Sequence, residues 1–292
     1  KVILDDQEHP VDIKPYDRNP ATKIIEDFML AANETVAQDY FWQEIPFVYR
    51  THEVPDTEKI KKLSTFINNF GYHIHMGSDE VHPKELQKLL AKIEDTPVEG
   101  LISRLTLRSM KQAKYSVECV GHFGLAAQYY CHFTSPIRRY PDLQIHRIIK
   151  DSLRGRMNEK RMEHYWKILP GVAQQASQLE RRADEAERET IKMKKVEYME
   201  SRIGNEYEGV ISGITNYGLY VELPNTVEGM VHVTTLRGDY YNYIESTYEM
   251  VGENTGKSYK LGQTVKIRVI GTDKLVRRID FELVDPKKEE EF

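Results

Sequence analysis

The segment HFTSPIRRYPDLQIH, residues 132–146, carries two adjacent arginines, Arg138 and Arg139, followed closely by an acid, Asp142. The prolines in this stretch disfavour a regular helix, so both guanidinium groups are expected on a short turn. A guanidinium presents a planar fork of donors that matches the oxygens of a phosphate or a carboxylate. The pattern indicates an anion site, with a structural ion pair to Asp142 or to a long helix as the alternative.

The surroundings of this turn are basic, although the chain of 292 residues has a formal net charge of −5. Residues 101–150 hold eight Lys or Arg and only two acids. Six aromatic residues lie among these charges, namely Tyr115, Phe123, Tyr129, Tyr130, Phe133 and Tyr140. Basic residues interleaved with aromatics suit phosphates and stacked bases. The alternative is a solvated helix face with aromatics in the core.

Composition excludes several classes of protein. No run of about 18 apolar residues is present, so no membrane-spanning helix is expected. The two cysteines, Cys119 and Cys131, form no metal-ligand spacing, which favours reduced thiols in a cytoplasmic protein. The chain opens on Lys1 without a signal-peptide pattern, and we interpret it as part of a longer protein.

Helices are expected to position the turn. Four amphipathic helices precede it, the first capped by Asn19 with Pro20 at its first position. Its apolar stripe is predicted as Ile25, Phe28, Ala32 and Val36. Gly71 is predicted to end the second helix as a left-handed cap. The stripe of the third is predicted as Leu86, Leu89, Leu90 and Ile93, and the fourth follows near residues 98–110.

Beyond the turn, a long charged helix is predicted from Pro170 to Arg202. After Gly204 the sequence alternates, is rich in β-branched residues and is punctuated by Gly, Asn and Pro. Five short strands in about 80 residues predict a small closed barrel, with a turn near Asp273. Residues 1–18 are predicted as an extended entry at the end of a larger sheet.

Two segments resemble known families. GVISGITNYGLYVEL followed by VEGMVHV resembles an S1 RNA-binding domain, a barrel of the OB type. PATKIIEDFMLAANETVA, the segment around TSPIRRYPD, and ERRADEAERE resemble the C-terminal half of the catalytic domain of the RNB family, exoribonucleases of the ribonuclease II and ribonuclease R type. The resemblance implies an α+β chain with a mainly helical part of the RNB domain at 1–202, a five-stranded S1 barrel at 203–284 and a disordered acidic tail at 285–292.

The RNB resemblance implies hydrolysis of single-stranded RNA from its 3′ end to nucleoside 5′-monophosphates. Arg138 matches the family's catalytic arginine, and we expect it to stabilise the charge of the phosphorane. Arg139 is expected to bind the RNA backbone. Ser135 and Thr134 are expected to donate to a phosphate, with a cap on the following turn as the alternative. Glu26 matches a contact to the terminal ribose, with a solvated first-turn acid as the alternative. Glu187 matches a glutamate near the 3′-terminal nucleotide, with Glu185 or Glu189, two residues away on either side, as alternatives.

The S1 resemblance implies a second set of RNA-binding residues, which are Tyr217, Tyr220, His232, Asp273 and Arg277. Bases stack on any aromatic face, and we expect Tyr217 and Tyr220 to be exposed rather than packed in the barrel. His122, which lies just before the RNB signature, is expected to be a satisfied structural histidine.

The resemblance also implies Mg²⁺ held by clustered aspartates. Asp5 and Asp6 lack that spacing and are interpreted as a polar turn, so no metal ligand is assigned, and the aspartates are expected outside this chain. The isolated chain is then expected to be inactive. Two other classes stay open: a single-stranded RNA-binding module built on the S1 barrel, and a translation-associated S1 protein, which the TSPIRRYPD segment disfavours.

Overall fold

A computed structural model describes residues 1–15, 19–77, 81–94, 96, 98–245 and 247–284. The acidic tail predicted at residues 285–292 lies outside the described residues. Six α-helices occur in the described part, at α1 Pro20–Trp42, α2 Thr57–Asn68, α3 Pro83–Ile93, α4 Glu99–Ser109, α5 Tyr140–Leu153 and α6 Glu159–Glu200.

The strands of the described part are short and mostly C-terminal. They are β1 Val2–Leu4, β2 Pro10–Ile13, β3 Tyr49–Thr51, β4 Lys114–Ser116, β5 Glu206–Thr215, β6 Gly218–Glu222, β7 Glu228–His232, β8 Tyr241–Ile244, β9 Glu249–Gly252, β10 Ser258–Lys260, β11 Thr264–Asp273 and β12 Arg278–Leu283. The α+β class is confirmed.

The chain packs as two compact units, a helical unit of residues 18–184 and a barrel unit of residues 1–17 and 185–292. Helix α6 contributes residues to both units. The boundary placed between residues 202 and 203 rests on sequence resemblance, and it stays a prediction.

Helix α1 begins as predicted, because the Asn19 side chain accepts from the backbone N–H of Thr22. Its buried face, however, is Asn33, Ala37 and Tyr40. Part of the predicted stripe was wrong: Ile25 and Phe28 are 57% and 67% exposed. The buried face includes a polar residue, Asn33, whose side chain bonds to Tyr130 and Phe133.

Gly71 follows α2 with a left-handed φ of 79°, as predicted. Helix α3 buries Leu86, Leu89 and Ile93, but Leu90 is exposed, so that member of the stripe was wrong. A stripe of period 3.6 tolerates one such flanking residue at the surface.

The predicted start of the long helix at Pro170 was wrong, because α6 begins at Glu159 and contains Pro170 in its interior. The Asn158 side chain accepts from the backbone N–H of Arg161 at 3.0 Å and satisfies the first turn. Tyr165 and Leu169 are buried, which fixes the turns before the proline in the core of the helical unit. Pro170 itself is exposed, so water is available to the carbonyl that its missing N–H leaves unbonded.

The N-terminal residues form an antiparallel hairpin of β1 and β2 in the barrel unit. The predicted extended entry is thus a hairpin, and its completion by further strands stays a prediction. The turn between them is polar as predicted, since Asp5 Oδ1 accepts from the backbone N–H groups of Gln7 and His9.

The predicted barrel is confirmed, closed in the order β11-β12-β7-β6-β5. Its interior includes Leu219, Val221, Val231, Ile267 and Phe281, each fully buried. An antiparallel sheet in the order β10-β9-β8 is inserted between β7 and β11, and the sequence analysis missed it.

Among the described residues, none of the helices combines the length and the apolar character that a membrane-spanning segment needs.

Candidate functional site

The predicted anion turn is present, and its backbone closes on Ser135. The Ser135 carbonyl accepts from the backbone N–H groups of Arg138 at 3.3 Å and Arg139 at 3.1 Å. Ile137 is fully exposed at the tip, and Arg138 beside it is exposed as well. The turn therefore projects one guanidinium into solvent on a hydrogen-bonded backbone.

Asp142, in the first turn of α5, anchors this turn. One carboxylate oxygen accepts from the Ser135 backbone N–H at 2.8 Å and from the Arg139 guanidinium at 2.7 Å. Asp142 is completely buried, and a carboxylate near a helix N-terminus also interacts favourably with the helix dipole. Its other oxygen and the Nε of Arg139 are buried without a partner among the described residues.

The two arginines of the turn consequently differ. Arg139 forms the ion pair with Asp142, with only 19% of its side chain exposed. That is the structural alternative kept in the sequence analysis, and contact of Arg139 with RNA stays a prediction. The Arg138 guanidinium has no ion pair or hydrogen bond to any described residue. A free guanidinium on a fixed turn is able to bind two oxygens of an incoming phosphate.

Helix α1 fixes the segment that leads into the turn, a role that sequence reasoning missed. Asn33 accepts from the backbone N–H of Phe133 at 3.0 Å and donates to the Tyr130 hydroxyl at 3.2 Å. From the other side, His146 donates to the Phe133 carbonyl at 2.9 Å and stacks on its ring with centroids 4.4 Å apart. The signal available in the sequence was the spacing of Asn33 with Ala37 and Tyr40, which places the three on one helix face.

A buried polar network lies behind the turn. The Tyr115 hydroxyl is 2.8 Å from His132 Nδ1, and Glu180 on α6 accepts from Arg50 at 2.6 Å. The Arg50 guanidinium lies over the Tyr115 ring, 4.7 Å from its centroid. Burial, reinforced by the positive charge of Arg139, lowers the pKa of His132 to about 2. His132 is therefore a neutral hydrogen-bonding group at neutral pH.

Two further histidines pack nearby. His52 contacts the Lys111 carbonyl through Nε2 at 2.7 Å and accepts from the Gly124 N–H at 3.0 Å through Nδ1. His122 lies against it, and burial lowers the pKa of His122 to about 4. The prediction that His122 is a satisfied histidine was wrong, since its Nδ1 is buried without a partner in the described part of the chain.

The predicted basic surface is partly neutralised. Lys111 and Lys114 both pair with Glu53, at 3.0 and 2.5 Å. Of the aromatics, Tyr115, Phe123 and Tyr130 are buried, which fits the core alternative, while Tyr140 is 52% exposed. Arg138 is exposed and unpaired within the described residues, as are Arg108 and Lys150, and of these three it is the one that lies on the turn of the signature segment.

The two predicted glutamates lie on helices. Glu26 is half-buried on α1, and it has an interaction partner. Glu187 is exposed on α6. Glu189, one of its alternatives, pairs with Lys192 and with Arg277. The contacts of Glu26 and Glu187 with RNA stay predictions.

In the barrel unit, the β6–β7 ladder places two predicted residues on one face. Gly218 pairs with His232 and Tyr220 with Met230, so Tyr220 and His232 share the face opposite the buried Leu219 and Val231. Tyr220 and His232 are half-buried on that face.

Tyr217, at the β5–β6 turn, is 70% exposed. The next residue must be glycine: Gly218 has φ of 150°, and a Cβ there would lie 2.1 Å from the Val231 carbonyl oxygen. The close approach of β6 to β7 at this point therefore sets the exposed position of Tyr217.

The polar pair expected on the last strands is arranged differently from the prediction. Asp273 accepts from the backbone N–H groups of Leu275 and Val276 and shapes the β11–β12 turn. Arg277 has a left-handed φ of 55° and pairs with Glu189. Arg278, one residue later, instead lines a cavity of about 250 Å³ together with His232 and Asp280. This barrel-face cavity holds an arginine that sequence reasoning missed, because Arg278 is the first residue of β12 whereas Arg277 lies in the turn before it.

A metal site is not formed by the residues described here: no group of three or more His, Cys, Asp or Glu side chains is placed to hold an ion. The implied Mg²⁺ therefore finds no fitting ligand set within the described ranges.

Two protein-family models match the chain. The RNB domain model matches residues 1–155, which include the turn of Arg138, and the S1 RNA binding domain model matches residues 200–283. The chain belongs to the RNB family.

The chain is 44% identical to ribonuclease R 1 of Lactococcus lactis over 282 residues. The aligned region covers 97% of this chain and 34% of that relative. The chain thus spans about a third of the relative's length. Its fold resembles Mycoplasma genitalium RNase R in complex with ribose methylated single-stranded RNA, with a TM-score of 0.91 and 27% identity, over 97% of this chain and 45% of that one. It also resembles yeast Ssd1, described as a pseudonuclease, with a TM-score of 0.66 and 25% identity, over 82% of this chain and 30% of that one.

Proposed function

We propose that this RNB chain is part of a processive hydrolytic exoribonuclease that shortens single-stranded RNA from its 3′ end and releases nucleoside 5′-monophosphates. The observation that carries the proposal is the arginine pair: Arg139 is held by Asp142, whereas Arg138 is exposed and unpaired among the described residues. The similarity to ribonuclease R supports the class of reaction, and the Arg138 guanidinium is the group proposed to stabilise its transition state.

Arg138 acts on the charge that develops at the phosphate. When water attacks the phosphodiester, negative charge grows on the non-bridging oxygens, and a pre-positioned guanidinium stabilises it more than it stabilises the ground state. The Ser135 carbonyl and the Asp142 carboxylate hold the turn before RNA arrives, so little reorganisation is needed. A lysine would keep the charge but lose the bidentate geometry.

The barrel unit is proposed to hold the RNA strand. Tyr217 and Tyr220 offer ring faces to bases, while His232 and Arg278 contact the strand at the barrel-face cavity. The roles of the remaining predicted residues are proposals carried by the family resemblance, namely Glu26, Glu187, Ser135, Arg139, Asp273 and Arg277.

The cofactor belongs to the proposal as well. We place the Mg²⁺ ligands on carboxylates outside these 292 residues, because relatives such as ribonuclease R 1 are about three times longer. The isolated chain is then expected to bind RNA without cleaving it, in a cytoplasmic setting.

The test compares the 292-residue chain with a longer protein that contains it, on single-stranded RNA labelled at either end, with Mg²⁺ or EDTA. The longer protein should release labelled mononucleotide early from the 3′ label and late from the 5′ label. Arg138→Ala should lower its turnover by about 100-fold or more, with RNA affinity changed less than about threefold.

Arg138→Lys and Arg147→Ala are the matched variants. Arg138→Lys should recover little turnover, since a point charge replaces a fork, and Arg147→Ala should stay near the parent rate because Arg147 already contacts Tyr140 and Gln144. An Arg138→Ala protein with undiminished turnover would remove Arg138 from the chemistry.

A second candidate is a non-catalytic RNA-binding module. The likeness to Ssd1, a pseudonuclease, favours it. Under that function the longer protein would bind single-stranded RNA and never shorten it with any metal, and Arg138→Ala would change affinity alone.

A further inference from the structure

The inserted sheet of β8, β9 and β10 creates a second cavity in the barrel unit. Its volume is about 290 Å³, and it lies between the insertion and the edge of the barrel at β11 and β12. Three basic residues line it, Arg237, Lys257 and Lys266, and none of its lining residues is acidic. We call it the basic cavity.

Its charges are only partly neutralised. Lys266 pairs with Glu206 at 2.9 Å, and Lys257 Nζ lies over the Tyr259 ring, 5.2 Å from its centroid. Arg237 is exposed and has no ion pair with any described residue. In a chain of net charge −5, three cations around one concave space concentrate an anion there.

The basic cavity adjoins the barrel-face cavity at one residue. Thr235 lines both this cavity and the barrel-face cavity of His232 and Arg278. Thr235 is fixed in place, because its hydroxyl donates to the His232 carbonyl at 2.7 Å. A strand that lies on the barrel face at His232 thus reaches Arg237 by passing one residue.

The lining also says which part of a nucleic acid fits. Tyr259 is 5% exposed, so its ring offers no face on which a base stacks. The groups that remain for a ligand are the cations, polar side chains such as Gln263 and Thr264, and the apolar side chains of Val265, Leu283 and Val284. The cations and polar groups suit phosphates, and the apolar side chains do not distinguish one base from another.

We propose that the basic cavity binds phosphates of the same single-stranded RNA that occupies the barrel face, and so lengthens the RNA site across Thr235 with Arg237 and Lys257 as its main contacts. This rests on the proposed binding of RNA by the barrel. The extension is independent of sequence and depends on salt.

The experiment measures anisotropy of labelled oligonucleotides bound to the 292-residue chain. Oligo(U) and oligo(A) span about 4 to 16 nucleotides, the range of site sizes of an OB fold. The test variant is Arg237→Gln with Lys257→Gln. The matched control is Lys260→Gln with Lys274→Gln, which removes two exposed lysines that pair with Glu249 and Glu200 and do not line the cavity.

The test variant should weaken binding of the long oligonucleotides by about threefold to tenfold and leave the shortest unchanged. The slope of log affinity against log salt should fall by about 0.7 for each phosphate that the variant no longer neutralises, equally for both sequences. The control should keep the wild-type length dependence. Equal weakening at all lengths, an unchanged slope, or the same weakening in the control would overturn the proposal.

Two outcomes separate this proposal from the one it rests on. If wild type binds no oligonucleotide, RNA binding by the barrel fails and the extension fails with it. If wild type binds RNA and the test variant is indistinguishable at every length, only the extension fails. Competition by polyglutamate that matches RNA of equal charge, and that disappears in the test variant, would show an acidic protein site and overturn the RNA assignment.

Discussion

Replacing Asp142 with alanine tests how the signature turn is held. The Asp142 carboxylate is completely buried and accepts from both Ser135 N–H and the Arg139 guanidinium. The substitution leaves Arg139 largely buried without its counter-charge and Ser135 N–H without its acceptor. Both effects destabilise the native helical unit and barely affect the unfolded chain, where water solvates these groups.

The magnitude follows from these two effects. Removing one partner of a buried ion pair costs about 3 to 5 kcal/mol, and leaving a hydrogen-bond donor unsatisfied costs about 1 to 3 kcal/mol. Since 19% of the Arg139 side chain is exposed, water recovers part of this cost, and the two costs overlap at one carboxylate. We expect the free energy of unfolding of the helical unit to fall by about 3 kcal/mol.

The assay is urea unfolding followed by tryptophan fluorescence. The chain has two tryptophans, Trp42 and Trp166, and both lie in the helical unit of residues 18–184. The signal therefore reports on the unit that contains Asp142. The control is Glu58→Gln on α2, where an exposed pair with Lys61 is removed and a change of about 0.5 kcal/mol or less is expected.

A decrease below about 1 kcal/mol for Asp142→Ala would refute the reasoning, because the pair would then be dispensable. A double variant tests whether the stranded Arg139 charge causes the loss of stability. Asp142→Leu combined with Arg139→Met removes both charges and should be more stable than Asp142→Ala, since no uncompensated buried charge remains. A double variant that is no more stable would show that the cost does not come from the stranded guanidinium.

Two further predictions concern pH and a glycine. Burial lowers the pKa of His132 to about 2 and that of His122 to about 4. Below pH 6.5, the unfolded chain therefore binds more protons than the folded chain. The stability that these neutral histidines allow is complete above pH 6.5 and falls as the pH falls. Between pH 7.5 and 5.5, the urea midpoint of unfolding should drop less in His132→Gln than in wild type. An equal drop would contradict the conclusion that His132 is held neutral in the folded protein. Gly218→Ala should destabilise the barrel by about 2 kcal/mol or more, measured by thermal unfolding, because its Cβ meets the Val231 carbonyl. Gly213→Ala, where a Cβ makes ordinary contact, is the control, and equal destabilisation would show that close approach is not the cause.

The local patterns of the sequence predicted much of the architecture. Asn19 and Pro20 marked the start of α1, and Gly71 marked the end of α2, because caps depend on residues adjacent in the chain. The alternation after Gly204 predicted the barrel for the same reason. Pro170 misled the prediction, because packing of Tyr165 and Leu169 outweighs the cost of about 3 kcal/mol of an interior proline.

In the candidate site, too, some features follow from the sequence and others from the tertiary structure. Sequence by itself determined that two arginines share a turn and that an S1-type barrel follows, since both are written in residues close along the chain. Only the tertiary structure decided that Arg139 is bound to buried Asp142 while Arg138 is free of any described partner, and that Arg278 rather than Arg277 lines the barrel-face cavity. Burial and strand register depend on contacts between elements distant in sequence, which the local pattern does not contain.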